Sequence, residues 1–491
     1  MTKVLSIDIG ASSGRLVMIE YNKNSGFRFD EVYRFSNGMK NINNSLKWDF
    51  NDIMSHIYLG ILKALKTYPD IKSIGVDTWG VDYGRLDSEG NLIDMPFGYR
   101  DSRCELAAKK LLSRVDYEDI YRISGIQYLN FNTLFQLYDD KSNKRKFNNI
   151  LLIPDLINYY LTGNKFIELT NLSTTSLYNP LTHKIDESLL NLIGINKEAF
   201  PKIIYPSNKV GTLKDDLAKD FSYPKIDVIS VGSDDTASAV ASLNLNENVA
   251  FLSSGTWSLL GIELKEPLIN LDGYKANFTN EIGLESKIRY LKNIMGLFII
   301  QEIKKDLEIN NPNISFGYLH HEATLIKSND IYIDIDDEYF SKPGNMLNKY
   351  FAYLKKTNQY KDDLSVGQIV RSIYESMAFK YLEEFDYLKK ITNKDIKKLF
   401  VVGGGSNASL LNQLIANVLD VTVEIGLSEG TTYGNALAQL IYWNEFKDLA
   451  EAREALSSSY KKEVYYPEDV NNFKNKYKIY KRKVKSDYES N

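Results

Sequence analysis

The sequence predicts an α/β fold built twice, in two lobes, and three observations predict it. Near the N-terminus, "SIDIGASSGRLVMIE" from Ser6 runs as an apolar strand, a Gly-Ser turn and a second apolar strand. "NVAFLSSGTWSLLGIE", from Asn248 to Glu263, repeats that design mid-chain with almost no identity to the first. The 491 residues exceed the size at which one hydrophobic core stops growing, so two large domains are expected.

The elements follow in order from hydrophobic periodicity. Val4–Ile9, Leu16–Tyr21 and Phe27–Phe35 read as strands, and Asn51 to Thr67 as an amphipathic helix. In "IKSIGVDTWGVDYGRLD" two strands meet at Thr78-Trp79-Gly80. Helical segments follow around Cys104–Ser113 and Pro154–Leu161. The apolar strand Ile226–Val231 then turns into a helix from Asp235. In the second lobe, "RYLKNIMGLFIIQEIKK" reads as a strand, a turn at Asn293 and a helix. Ser328–Asn345 reads as a loop, and Ser365 to about Lys390 as a long buried helix. "KKLFVVGGGSNASLLNQLIANVL" and "VTVEIGLSEGTTYGNALAQLIYW" are two strand-turn-helix units. No low-complexity linker occurs, so the lobes are drawn as 1–243 and 244–491, meeting near Leu243–Glu247.

Composition narrows the function classes. Apolar content of 43% and charged content of 25% are ordinary for a soluble globular chain, and a net charge of −4 gives no reason to expect nucleic acid or an anionic membrane. The Lys-rich C-terminal run reads as a solvated helix face. The single cysteine, Cys104, excludes an intramolecular disulfide and suits a reducing compartment. No apolar run reaches a membrane span, and Met1 leads directly into a strand, so a cytoplasmic protein without a leader is expected. The four histidines show no metal-ligand spacing.

Both hairpins read as phosphate cradles. Gly10 and Gly14 are read as allowing backbone conformations closed to other residues, so that N–H groups and the Ser12 and Ser13 hydroxyls converge. Asp8, just before the turn, is placed to approach a magnesium ion held by that phosphate. Neither a P-loop nor a Gly-x-Gly-x-x-Gly turn occurs, so a nucleotide would bind by the hairpin route. In "VISVGSDDTASAV" a buried strand meets a helix opened by Asp234, Asp235 and Thr236. One aspartate suffices as a cap, which leaves the other to accept a hydroxyl proton. Gly403–Gly405 permits close backbone approach to an adenosine or α-phosphate, or else marks a tight strand–helix turn. Gly80 likewise permits approach to a small ligand, or else marks a hairpin turn.

Together these segments resemble the FGGY carbohydrate kinases, and within them the rhamnulokinase branch, over nearly the whole chain. "WDF", "GVDTWGVDY", "YRDSR", "SGIQYLNFNTLFQL", "DTASAV", "SSGTWSL", "LKNIMGL" and "VVGGGSN" carry the resemblance in order and spacing. It implies two lobes of the actin/hexokinase/Hsp70 (ribonuclease H-like) ATPase type, with a ketose and MgATP in the cleft between them. Asp235 would be the catalytic base. Ala11, Ser12, Ser13, Gly14, Arg15, Thr256, Gln301 and Gly404 would contact the nucleotide. Gly80, Asp234, Asp235, Thr236 and Asn293 would contact the sugar, and a monomer or homodimer is expected. The implied reaction moves the γ-phosphoryl of ATP to the C1 hydroxyl of L-rhamnulose. The branch often carries histidine where this chain has Asp234, an acceptor in place of a possible donor. Phosphorylation of another deoxyketose such as L-fuculose, an actin-like ATPase and a sugar sensor remain the alternatives.

Overall fold

The N-terminal apolar runs become strands because they are buried along almost their whole length. The computed structural model describes residues 1–215, 225–327 and 330–484. In the first unit, β1 (Thr2–Ile9), β2 (Ser13–Asn22), β3 (Gly26–Ser36), β4 (Ser73–Thr78), β5 (Asn208–Thr212) and β6 (Asp227–Ser230) form one sheet in the order β5-β6-β4-β1-β2-β3. β1 runs antiparallel to β2 and parallel to β4, β4 runs parallel to β6, and β5 closes the edge antiparallel to β6. Parallel pairing needs covered faces. The amphipathic helix α1 (Phe50–Thr67) contributes to that cover, burying Ile53, Ile57, Ile61 and Leu65 among the core residues. Its N-cap Asp49 accepts the Asp52 N–H at 3.2 Å.

The second unit repeats the pattern. β7 (Val249–Ser254), β8 (Trp257–Leu264), β9 (Ile288–Met295), β10 (Lys398–Val402), β11 (Thr422–Ile425) and β12 (Glu463–Tyr465) lie in the order β9-β8-β7-β10-β11-β12. Again a hairpin (β7 with β8) is followed by parallel neighbours (β10, β11) and an antiparallel edge strand (β12). The helices used below are α2 (Asp235–Ala241), α3 (Val366–Thr392), α4 (Ser409–Leu419) and α5 (Gly430–Tyr442). α3 starts at a capping box formed by Ser365 and Gln368.

The units interleave along the chain. The first comprises Met1–Asn244, Glu263–Tyr290 and Glu429–Lys461; the second comprises Leu245–Ile262, Leu291–Ser428 and Lys462–Asn491. Relative to halves at 1–243 and 244–491, the first unit therefore also takes two later segments.

Two local readings change, and the loop read over Ser328–Asn345 holds across Ile331–Ile335, though buried. β4 and the strand Tyr83–Leu86 do not pair with each other: β4 joins β1 and β6, while Tyr83–Leu86 pairs with Asn149–Leu152. Trp79–Asp82 is thus a crossing between sheets, not a hairpin turn. Asn293 lies within β9, and the turn falls at Gly296 before a helix at Phe298–Glu308. Ile331–Ile335 lacks regular structure yet is buried. Side chains meet part of its backbone: the Tyr332, Ile333 and Asp334 N–H groups donate to Gln359 Oε1, Ser376 Oγ and the Tyr353 hydroxyl. Ser328, Asn329 and the residues beyond Val484 lie outside the described residues; Tyr477–Val484, the described part of the Lys-rich run, ends the helix Val470–Val484 with Lys478, Lys481 and Arg482 exposed. Among the described residues no helix is long and apolar enough to cross a membrane.

Candidate active site

The β1–β2 turn is fixed by backbone and one amide side chain. Gly10 N–H donates to Ser13 O at 2.9 Å, Asn37 N–H to Ser12 O at 3.0 Å, and Asn37 Nδ2 to Gly10 O at 2.8 Å. Ala11 and Ser12 are exposed and Ser13 is half-buried. Neither Gly10 nor Gly14 has a positive φ, which corrects the conformational reading of both. Gly14 is required by packing instead, since a Cβ there would lie 2.2 Å from Phe35 Cζ. Asn37 carries no motif and went unread in the sequence.

Strand register brings charges together around Asp8. Antiparallel pairing sets it opposite Arg15, and parallel pairing sets it beside Asp77. Arg15 donates to Asp8 Oδ2 from Nε (2.9 Å) and Nη2 (2.7 Å), and its other arm contacts Glu429. α5 completes the group: Thr432 Oγ1 donates to Asp8 Oδ2 at 3.2 Å, and Asn435 Nδ2 to Asp77 Oδ2 at 2.6 Å. Asp77 is fully buried and its Oδ1 has no hydrogen-bond partner. Burial, then the negative charge of Asp8, pushes its carboxyl well above the usual range. The sequence reading missed Asp77, whose place beside Asp8 follows only from the parallel pairing of β1 with β4.

β6 leads into Asp234 and α2. Asp234 is the cap, accepting the Ala237 N–H at 3.2 Å through Oδ2. The same oxygen pairs with Nη2 of the fully buried Arg289 at 2.8 Å, whose Nη1 lies 3.3 Å from Glu281. Burial raises the Asp234 pKa and Arg289 opposes that rise. Glu281 is pushed up to about 7 by burial. With Asp234 committed to the cap, Asp235 is the half-buried second carboxylate, receiving the Thr236 hydroxyl at 3.1 Å. Burial first, then Asp234 and Asp8, push its pKa up to about 8. That pKa gives the carboxylate a high proton affinity, with the base form filling as pH rises through about 8. Gly80 faces this corner, since a Cβ there would lie 3.1 Å from Thr174 Oγ1 and 3.4 Å from Asp234 Oδ1. Ser233 is tied back by donating to Glu168 Oε2 at 2.5 Å.

In the second unit, Thr256 and Gln301 meet: Thr256 Oγ1 donates to Gln301 Oε1 at 3.2 Å. The turn that carries Thr256 is pinned by Gly296 N–H to Thr256 O (3.1 Å) and Leu297 N–H to Gly255 O (2.8 Å). Gly403, at φ +83°, and Gly405 press on Ser254, where added Cβ atoms would lie 2.7 Å from its O and 2.0 Å from its Oγ. Those two glycines serve strand–loop packing. Gly404 between them is exposed, with no atom within 4 Å of an added Cβ, and is the member open to a ligand. Asn293 is half-buried on β9.

Among the described residues no group of three carboxylate, imidazole or thiolate side chains is placed to enclose a metal ion. Mg²⁺ does not need such a cage, because it keeps several waters and binds through one or two carboxylates plus substrate phosphates. Asp8 beside the orphaned Asp77 oxygen fits that limited requirement. Cys104 is buried and its thiol is pushed up to about 12, chiefly by burial, so it is inert.

Residues 3–241 match the N-terminal domain of the FGGY family of carbohydrate kinases, and residues 250–443 match the C-terminal domain of the same family. A rhamnulokinase of Enterococcus faecalis is 37% identical over 486 residues, covering 98% of this chain and 97% of the relative. A rhamnulokinase of Bacillus subtilis is 36% identical over 467 residues, covering 95% of each. Two solved structures are similar in fold. A ligand-bound xylulose kinase from Lactobacillus acidophilus has a TM-score of 0.81 at 16% identity, covering 100% of this chain and 99% of that one. A Plasmodium falciparum glycerol kinase with ADP has a TM-score of 0.81 at 17% identity, covering 99% and 98%.

Proposed function

Because the chain belongs to the FGGY family of carbohydrate kinases, we propose that it transfers the γ-phosphoryl group of ATP to the C1 hydroxyl of L-rhamnulose, giving L-rhamnulose 1-phosphate and ADP. The observation that carries the reading is Asp235: a half-buried carboxylate with a pKa near 8, next to a carboxylate already committed to capping. The full-length similarity to rhamnulokinases supports the choice of sugar.

Asp235 orients the C1 hydroxyl and takes its proton as the P–O bond forms, while ADP leaves with the electron pair of the broken bond. Gly80, Asp234, Thr236 and Asn293 hold the ketose. The turn from Ala11 to Arg15, with Ser12, Ser13 and Gly14, receives phosphate oxygens together with Thr256, Gln301 and Gly404. Phosphoryl transfer asks the protein for positioning and charge stabilisation more than covalent chemistry, and backbone N–H groups with Arg15 supply both. Mg²⁺, when bound with ATP beside Asp8, neutralises phosphate charge. ATP as donor fits a cytoplasmic site of action.

The test is coupled ADP release over L-rhamnulose, L-fuculose and L-xylulose. The expected result is turnover that depends strictly on ketose, with the highest kcat/KM for L-rhamnulose. ATP hydrolysis indifferent to every ketose would overturn the kinase reading, and a higher kcat/KM for L-fuculose would overturn the sugar.

A further inference from the structure

Several strings that mark the sequence are far apart along the chain, yet they meet at one buried carboxylate, Asp82. It is 1% exposed. Its Oδ2 accepts the indole N–H of Trp48 at 2.6 Å, the indole N–H of Trp79 at 3.0 Å and the Tyr99 backbone N–H at 3.1 Å. Its Oδ1 accepts Gln136 Nε2 at 2.9 Å, and Gln136 is itself fixed by Arg103, which donates to its Oε1 at 2.8 Å. The two indoles lie against each other with ring centroids 3.9 Å apart. One carboxylate thus organises four donors drawn from "WDF", "GVDTWGVDY", "YRDSR" and "FNTLFQL".

The backbone beside it is strained. Val81 has φ +68°, and the Asp82 N–H donates to Gly80 O at 2.9 Å, closing a γ-turn of the left-handed kind. A β-branched residue adopts that conformation only where its surroundings over-determine it. Here they do: Thr133 Oγ1 donates to Val81 O at 2.7 Å on one side, and Asp82 clamps the other. The turn's first residue is Gly80, which faces Asp234 Oδ1 and Thr174 Oγ1. Asp82 itself is enclosed by these protein donors and is 1% exposed.

We propose that Asp82 is a positioning residue of the sugar subsite, clamping Trp48, Trp79 and the strained Val81 turn so that Gly80 is presented to the ketose. The inference rests on the reading that the Gly80 edge binds the ketose. Without the clamp the turn relaxes and Gly80 moves away from Asp234 and Thr174. Glycine at position 81 carries no penalty at φ +68° and removes the reason to relax.

The experiment is a double-mutant cycle of Asp82→Ala and Val81→Gly, reading KM for the ketose against KM for MgATP and kcat. With Val81 present, Asp82→Ala raises the ketose KM about tenfold or more and leaves the MgATP KM within about twofold. In the Val81→Gly background the same substitution costs less than about threefold. If Asp82→Ala does not fold, Asp82→Asn enters the same cycle with the same expected coupling. An equal cost in both backgrounds, or no change in ketose KM, overturns the proposal. Absence of ketose-dependent turnover in the unmodified chain would instead overturn the kinase reading, so the two failures are distinguishable.

Discussion

Gly434→Ala is the substitution whose effect can be worked most directly from the geometry. Gly434 sits on α5 where that helix crosses α2, and an added Cβ would lie 1.7 Å from Ser238 O and 2.6 Å from Ser238 C. Ordinary contact begins at 3.4 Å, twice the first distance, and the obstacle is backbone, which cannot swing aside. Two terms oppose each other. Alanine improves the helix by about 1 kcal/mol, while forcing a methyl into a close-packed contact costs about 1–3 kcal/mol and more where backbone must move. Packing wins by up to about 2 kcal/mol, which in a unit of this size lowers the melting temperature by about 2–3 °C. Activity suffers more than stability. Ser238 is three residues after Asp235 on a helix of seven residues, so α2 shifts as one body, and a 1 Å misplacement of a reacting group costs on the order of 100-fold. The assay is ketose-dependent ADP release alongside thermal unfolding. A variant with unchanged kcat and an unchanged or higher melting temperature would refute the reasoning, because it would show that α5 and α2 do not meet at this glycine.

The raised pKa of Asp235 makes kcat/KM, measured with both substrates well below their KM, rise about tenfold from pH 7 to pH 9 as the carboxylate form fills. Asp234→Asn, by removing a neighbouring negative charge, moves that limb to lower pH; a profile flat from pH 6 to 9 would remove Asp235 as the base. The same shift has a stability side. A carboxylate whose folded pKa lies above its unfolded one favours the protonated fold at low pH, so its contribution is lost as pH rises from about 4 through about 8. Asp235→Asn should therefore unfold at higher temperature than the unmodified chain at pH 9 while losing turnover by orders of magnitude. Gly404→Ala should leave the melting temperature unchanged, since its Cβ meets nothing, and raise the MgATP KM about tenfold; an unchanged KM would take Gly404 out of the nucleotide site. Thr256→Val keeps shape but loses the hydroxyl that donates to Gln301, and should raise the MgATP KM by a similar factor; unchanged kinetics would make that pair structural.

The duplicated α/β design was legible because its signal is local: each apolar strand, glycine turn and strand could be read within some fifteen residues, whereas the actin/hexokinase-like class rested on the resemblance in motif order and spacing. That one of Asp234 and Asp235 caps α2 was legible for the same reason, since a helix opening needs one cap and no more; which of the two does so was not. What stayed hidden depends on register and on distant side chains. Asp77 matters because parallel pairing sets it beside Asp8, and the sequence carries no mark of which strands pair. Arg289 reaches Asp234 from 55 positions further along the chain. Gly14 read as a turn former because glycine usually is one, whereas the ring of Phe35 is what forbids a side chain there. Val81 shows the limit most plainly, because nothing in a valine announces a left-handed backbone.

The return of Glu429–Lys461 to the first unit bears on how the chain is made. Asp8, Asp77 and Ser73 receive or share their hydrogen bonds with Thr432, Asn435 and Gln439, which leave the ribosome more than 350 residues after them. Until α5 emerges, the N-terminal sheet displays carboxylates with no amide or hydroxyl to meet them, and loop closure over that separation comes before any reward. A nascent chain halted before Gly430 lacks all three of these contacts to its first sheet. Vectorial synthesis delivers Asp235 and α2 long before it delivers α5, the helix packed against them.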